Sequence, residues 1–119
     1  MSEERFTVVE LVDEYRFVMH DSEAPGVEVG EESYVDVEGA AGRERVFFHT
    51  GVSPDYGGLG LASQLVRFVL DDAVTKGLRI VPVCPYVKQW LEKHPGEYAE
   101  HLTGAQANHL RAITEQQRA

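Results

Sequence analysis

Two features of the 119-residue chain carry recognisable chemistry: a glycine-rich stretch, Ser53-Pro54-Asp55-Tyr56-Gly57-Gly58-Leu59-Gly60, and a single thiol, Cys84. From Leu61 onward apolar residues return at helical spacing (Leu61, Leu65, Val66, Val69, Leu70, Ala73 and Val74), so the glycines precede a helix. The first amides of a helix have no partner within it, and the helix dipole is positive there. Glycine lets an anion reach those amides without a Cβ in the way, which makes the stretch a candidate anion site. A P-loop would need Gly-Lys-Ser/Thr, and a dinucleotide fingerprint would need a third glycine where Ser63 stands, so both are excluded. The simpler alternative is a tight connection whose glycines serve turn geometry alone.

Cys84 closes the apolar run Leu78–Val83. It could act as a nucleophile if a nearby imidazole such as His49 lowered its pKa, or it could be a small buried residue lining the interior. His49, after two phenylalanines at a strand end, is either a general base or a hydrogen-bonded structural residue. His94, before Pro95, suits a helix end. His20, His101 and His109 lack metal-ligand spacing and one cysteine cannot build a Cys cluster, so no metal site is expected.

These residues must be positioned by a mixed set of elements. Residues 5–20, rich in Phe, Tyr and Val, read as strand, 21–31 as a loop, 33–38 as strand, 39–42 as a turn and 45–52 as strand, which together make an antiparallel meander. A helix over Leu61–Lys76 stops at Gly77, and Leu78–Cys84 reads as a strand buried on both faces, with Pro82 requiring a bulge or an edge. Residues 45–84 therefore form a βαβ unit with an expected right-handed crossover. Tyr86–Lys93 predicts two helical turns in which Trp90 and Leu91 are core or pocket wall. Thr103 with Gln106 reads as a capping box before a weakly amphipathic helix bearing Ala107, Leu110 and Ile113. The fold class is α/β, with one domain over 1–102 and a helical extension over 103–119.

Charge narrows the partners. The chain has 11 Lys+Arg against 20 Asp+Glu, a net charge of −9, and residues 1–40 hold twelve acids and two bases. Nucleic acid and anionic membranes, which require neutralised phosphates, are not expected partners, and an acidic N-terminal third favours a cationic one. No apolar run approaches the length of a membrane span, and Met1-Ser2-Glu3-Glu4 is acidic where a secretory signal is positive, so a cytoplasmic location is expected.

An ordered set of motifs runs through the second half: His49-Thr50-Gly51-Val52, Pro54, Gly58-Leu59-Gly60-Leu61-Ala62-Ser63, Val81-Pro82-Val83-Cys84-Pro85-Tyr86, His94-Pro95 and Tyr98. Together they resemble the GCN5-related N-acetyltransferase (GNAT) superfamily, and within it the compact single-domain YjdJ-type subgroup. The resemblance covers 46–98, with a looser strand pattern back to Tyr15. It implies a GNAT-like mixed sheet and transfer of an acetyl group from acetyl-CoA to an amine on a small molecule or a protein. The implied coenzyme A pyrophosphate site is Gly57, Gly58, Leu59, Gly60, Leu61, Ala62 and Ser63. In this fold two parallel strands splay to admit the pantetheine arm, so the amide near Val52 would polarise the thioester carbonyl. Cys84 matches a cysteine of the subgroup and Tyr86 could donate to the leaving sulfur. Two positions depart from the pattern: Gly57 stands where Arg or Gln is usual, and Gly96 interrupts a usual His-Pro-Glu-Tyr. The alternative function is a coenzyme A-binding module without turnover, and a third is an interaction domain using the acidic N-terminal third.

Overall fold

The computed structural model describes residues 5–118. Six residues of alternating burial, Phe6–Leu11 (β1), turn through a single 3₁₀ turn into Arg16–Asp21 (β2). Residues 5–20 are thus a hairpin rather than one strand. The reversal is made at Tyr15, whose φ of 55° lies in the left-handed region and whose carbonyl accepts the Tyr34 amide at 3.0 Å. Glu28–Gly39 (β3) and Gly42–Val52 (β4) complete the antiparallel part, and β3 begins inside the stretch expected to be loop.

Leu61–Thr75 (α1) buries Leu61, Leu65, Val66, Val69, Leu70 and Ala73 on one stripe against the sheet. It ends as the sequence predicts. Gly77 adopts φ +75°, its amide bonds the Val74 carbonyl, and the Leu78 amide reaches back to Ala73, the paired bonds of a Schellman stop. Arg79–Pro82 (β5) then pairs parallel to β4, giving a five-stranded sheet of order β1-β2-β3-β4-β5. β5 is buried on both faces and lies at the sheet edge, where Pro82, its last residue, needs no ladder partner. The strand is shorter than expected and stops before Cys84.

Pro85–Lys93 (α2) packs with α1 on one face of the sheet, around Phe17, Tyr34, Phe47, Leu65 and Trp90. Ala107–Arg118 (α3) covers the other face, placing Ala112 and Ile113 over Val35, Val46 and Val81. The expected capping box does not form. Thr103 accepts from Arg79 Nε at 3.0 Å and its amide bonds the Ile80 carbonyl, which ties the chain to the β5 edge. The side chain that reaches back at the start of α3 is His109, whose Nδ1 accepts the Gln106 amide at 2.9 Å. Nδ1 is therefore unprotonated, so Nε2 carries the proton and donates to buried Glu44 at 2.6 Å. Among the described residues no helix is long and apolar enough to cross a membrane.

Candidate active site between the parallel strands

β4 runs five residues past its last pairing with β5. The register ends at Phe47 opposite Pro82, and the amides of Val83 and Cys84 both turn in to the Phe47 carbonyl at 3.0 Å. Beyond that point, residues 48–52 of β4 face a gap. Ser53 donates to the Val29 carbonyl, so in this antiparallel register the Val52 amide points away from β3 and into the gap. Thr50, two residues earlier, presents its amide in the same direction. An extended, amide-rich ligand arm can pair with these groups as a strand would.

The gap leads to the N-terminus of α1. Gly58 and Gly60 have φ of +81° and +72°, and neither would bring a Cβ within 4 Å of another group. These positive φ angles turn the chain so that Gly60 becomes the α1 N-cap without a side-chain cap. The first intrahelical bond runs from Gln64 to Gly60, which leaves the amides of Leu61, Ala62 and Ser63 free. Ser63 is anchored from its side chain, since Trp90 Nε1 donates to its Oγ at 2.8 Å. Gly57 lies at φ −63° and ψ 151°, ordinary extended backbone. Free amides, an uncapped helix start and a cradle without Cβ atoms fit a pyrophosphate, and the open strand edge fits a pantetheine arm.

Cys84 sits at the head of this gap as the N-cap residue of α2, 4% exposed and a free thiol. Its Sγ lies 3.2 Å from Thr50 Oγ1, and Thr50 in turn donates to Glu32 Oε1. Glu32 projects from β3 with no exposed surface, and burial pushes its carboxyl up to about 9. Its other oxygen, Oε2, has no hydrogen-bond partner among the described residues.

His49 does not join this cluster. In a regular strand Phe47 and His49 share a face, which would aim the imidazole toward Cys84. The β3–β4 register instead passes from Ser33 opposite His49 to Tyr34 opposite Phe47, so Phe48 is an extra, bulged residue. Phe47 enters the core beside α1, Phe48 joins the α3 side, and His49 turns outward. Its side chain is 54% exposed, with Nε2 at 3.4 Å from Glu31 Oε2. The pairing of Cys84 with His49 is thus corrected to a pairing of Cys84 with Thr50. Tyr86, two residues beyond Cys84 on α2, is partly exposed and its phenol is raised by burial. His94 stacks on Trp90 at a centroid distance of 3.8 Å and bonds the Trp90 carbonyl, away from the thiol.

On the far side of β4 a groove of about 310 Å³ is lined by Glu28, Val29, Gly30, Glu31, Gly51, Val52 and Ser53. Of its carboxylates Glu31 lies next to His49, and Arg16 bonds Glu14, Glu28 and Glu31 together at its rim.

Comparison with known proteins agrees with this architecture. The family model described as GCN5-related N-acetyl-transferase matches residues 16–102. No curated protein matches the chain significantly. Among solved structures, a GCN5-like protein from Staphylococcus aureus, determined by NMR, is 26% identical with a TM-score of 0.62, over 90% of this chain and 97% of that one. A ribosomal-protein-alanine N-acetyltransferase from Brucella melitensis biovar Abortus 2308 is 22% identical with a TM-score of 0.51, over 76% of this chain and 64% of that one. A predicted acetyltransferase from Clostridium acetobutylicum, determined with acetyl-CoA, is 14% identical with a TM-score of 0.50, over 76% and 70%. The last two share the fold.

The mixed sheet and the family match define an acyltransferase, and its class of chemistry is acetyl transfer. The chain belongs to the GCN5-related N-acetyltransferase family.

The sequence pointed to Cys84 and the loop but not to Thr50 or Glu32. Thr50 lies inside the His49–Val52 motif, and only the bulge at Phe48 decides that it, rather than His49, faces the thiol. Glu32 is hidden among the acids of 21–38, and nothing in that run marks one of them as buried.

Proposed function

We propose that the protein transfers the acetyl group of acetyl-CoA to an amine, with Cys84 receiving the group first. The observation that carries this reading is the placement of a buried free thiol at the head of the gap between β4 and β5. Leu61, Ala62 and Ser63 would hold the pyrophosphate through their amides, with Gly57, Gly58, Leu59 and Gly60 shaping the approach. The amides of Thr50 and Val52 would align the pantetheine arm, and that of Val52 would stabilise charge developing on the thioester oxygen. The Tyr86 phenol, kept protonated by its raised pKa, would supply a proton to the departing sulfur of coenzyme A.

The acceptor side is the groove across β4. Glu28 and Glu31 make it acidic, which draws a cationic amine, and His49 stands beside Gly51 and Glu31 to take the amine proton. His49 thereby serves the acceptor as general base rather than the thiol. The amine belongs to a small molecule or to an exposed protein side chain or N-terminus.

The test is coenzyme A release from acetyl-CoA with a panel of mono- and polyamines and N-terminal peptides, alongside calorimetric binding of coenzyme A. Amine-dependent release that Cys84→Ser removes, with binding retained, is expected. Binding without release for every amine would instead assign the chain to the coenzyme A-binding modules, and release unaffected by Cys84→Ser would reduce the thiol to pocket lining.

A further inference from the structure

Cys84 has a polar environment of its own, built from Thr50 and Glu32. Thr50 Oγ1 carries one proton and donates it to Glu32 Oε1. At the 3.2 Å contact with Cys84 Sγ the threonine oxygen must therefore accept, and the thiol donates. The direction of the chain is set: S–H of Cys84 to Thr50, O–H of Thr50 to Glu32. At its far end stands a carboxyl with no exposed surface and one oxygen without a partner among the described residues. A carboxyl buried that deeply without compensation is destabilising, and a fold that required only packing would fill the position with an apolar residue. An uncompensated Glu32 aimed through a hydroxyl at the candidate nucleophile has a use in moving a proton.

We propose that Thr50 and Glu32 are the proton path of Cys84, Thr50 as the group in contact with the reacting sulfur and Glu32 as the positioning residue and proton store behind it. This rests on the reading of Cys84 as the first acetyl acceptor. The path runs from the ionised form of Glu32, which fills as the pH rises toward about 9: as Sγ bonds to the acetyl carbon, the thiol proton passes to Thr50 Oγ1 and the threonine hydroxyl proton passes to Glu32 Oε1. The bond between the acetyl carbon and the sulfur of coenzyme A breaks, and that sulfur departs with the electron pair. In the second half the amine nitrogen bonds to the acetyl carbon and Cys84 leaves as thiolate. Glu32 returns its proton through Thr50 to the sulfur, and the amine proton goes to solvent by way of His49. The enzyme ends as it began, and no thiolate persists in a site that water scarcely reaches.

The ionisable groups acting on Glu32 are few. Cys84 faces it from the start of α2, and Glu31 precedes it on β3 but points to the opposite face. β2 presents Phe17 opposite it, and the inward stripe of α1 is apolar. Cys84 is among the causes that raise the Glu32 carboxyl, so the ionisation of Glu32 and the reaction of the thiol are coupled.

The experiment measures two rates on the full chain across pH 6–10 (about four units, spanning the ordinary thiol range): formation of the acetyl adduct by rapid-quench mass spectrometry, and alkylation of Cys84 by iodoacetamide without acetyl-CoA. Wild type, Glu32→Gln, Thr50→Val and Thr50→Ser are compared, with coenzyme A affinity as the check on fold. Acetylation is expected to fall about 100-fold in Glu32→Gln and Thr50→Val, the scale of general acid–base assistance, and Thr50→Ser should restore most of it. Alkylation of wild type should show two ionisations and that of Glu32→Gln a single one. Unchanged acetylation with an unchanged pH profile in Thr50→Val would overturn the proposal. If wild type forms no acetyl adduct, the thiol route fails, and the alkylation profiles still decide the proton path: one ionisation in wild type, matching Glu32→Gln, overturns it. Should Glu32→Gln lose its fold, the wild-type profile against Thr50→Val makes the same decision.

Discussion

Position 57 offers a direct test of whether the loop holds an anion. Gly57 has φ −63° and ψ 151°, which every L-residue adopts, and an added Cβ would meet the Pro54 carbonyl at 3.4 Å, an ordinary contact. Substitution there carries little backbone strain, unlike Gly60 at φ +72°, where a side chain in the left-handed region destabilises by about 1–2 kcal/mol. The only charged side chain between Ser53 and Ser63 is Asp55, so the loop offers a phosphate amides alone. Gly57→Arg would add a charge-assisted contact. Such contacts are worth about 1.5–3 kcal/mol when desolvated, and partial exposure reduces this to about 1–1.5 kcal/mol. Coenzyme A should therefore bind about 5- to 10-fold more tightly. Gly57→Glu should weaken it by a similar factor, and both effects should shrink from low salt to about 0.5 M, where screening is strong. Isothermal calorimetry of the two variants reads the effect, and thermal melts confirm the fold. Equal affinity in wild type, Gly57→Arg and Gly57→Glu would refute the placement of the pyrophosphate at this loop.

Other consequences follow from individual contacts. Trp90→Phe removes the donor to Ser63 Oγ and should lower stability by about 1 kcal/mol in urea titrations while weakening coenzyme A through a looser α1 start. His109→Ala leaves Glu44 buried without its partner and α3 without its reach-back bond, and should cost about 3 kcal/mol, read by chemical denaturation. Glu32 has its carboxyl raised from 4.5 to about 9, so between those values the folded state holds a proton that the unfolded chain has released. Stability falls as pH rises through that window, by at most about 1.4 kcal/mol per unit, and Glu32→Gln should remove the decline. Wild type and variant with the same pH dependence would contradict the buried, protonated carboxyl. Asp21 behaves oppositely, since the Arg5 guanidinium and the Tyr56 hydroxyl hold its carboxyl below the usual range. Its contribution is present above pH 3.8 and is lost as the pH falls below it, and Asp21→Asn should flatten the acid limb of a stability profile.

Much of the fold was legible because local chemistry and tertiary packing agree. The α1 stripe from Leu61 to Ala73, its stop at Gly77 and the doubly buried β5 are each written in spacing and residue type. The loop before α1 was legible for the same reason, since Gly58 and Gly60 do adopt the positive φ angles that glycine permits. What the residues hid depended on partners distant in the chain. A bulge has no composition of its own, and the one at Phe48 exchanged Thr50 for His49 beside Cys84. Tyr15, a non-glycine in the left-handed region, divides a continuous strand-like run into a hairpin. His109 looked like an isolated imidazole until residue 44, on β4, supplied its acceptor. Glu32 belongs to a strongly acidic third of the chain, in which solvation is the ordinary fate of a carboxylate.

The most direct test of the central claim is mass spectrometry of the protein mixed with acetyl-CoA, native for the bound donor and denaturing, with peptide mapping, for the acetyl group. The expected result is a bound complex and an adduct on the peptide containing Cys84 that is absent from Cys84→Ser and discharged by a competent amine. A complex with no adduct on Cys84 at any time, in a protein that still acetylates amines, would contradict it.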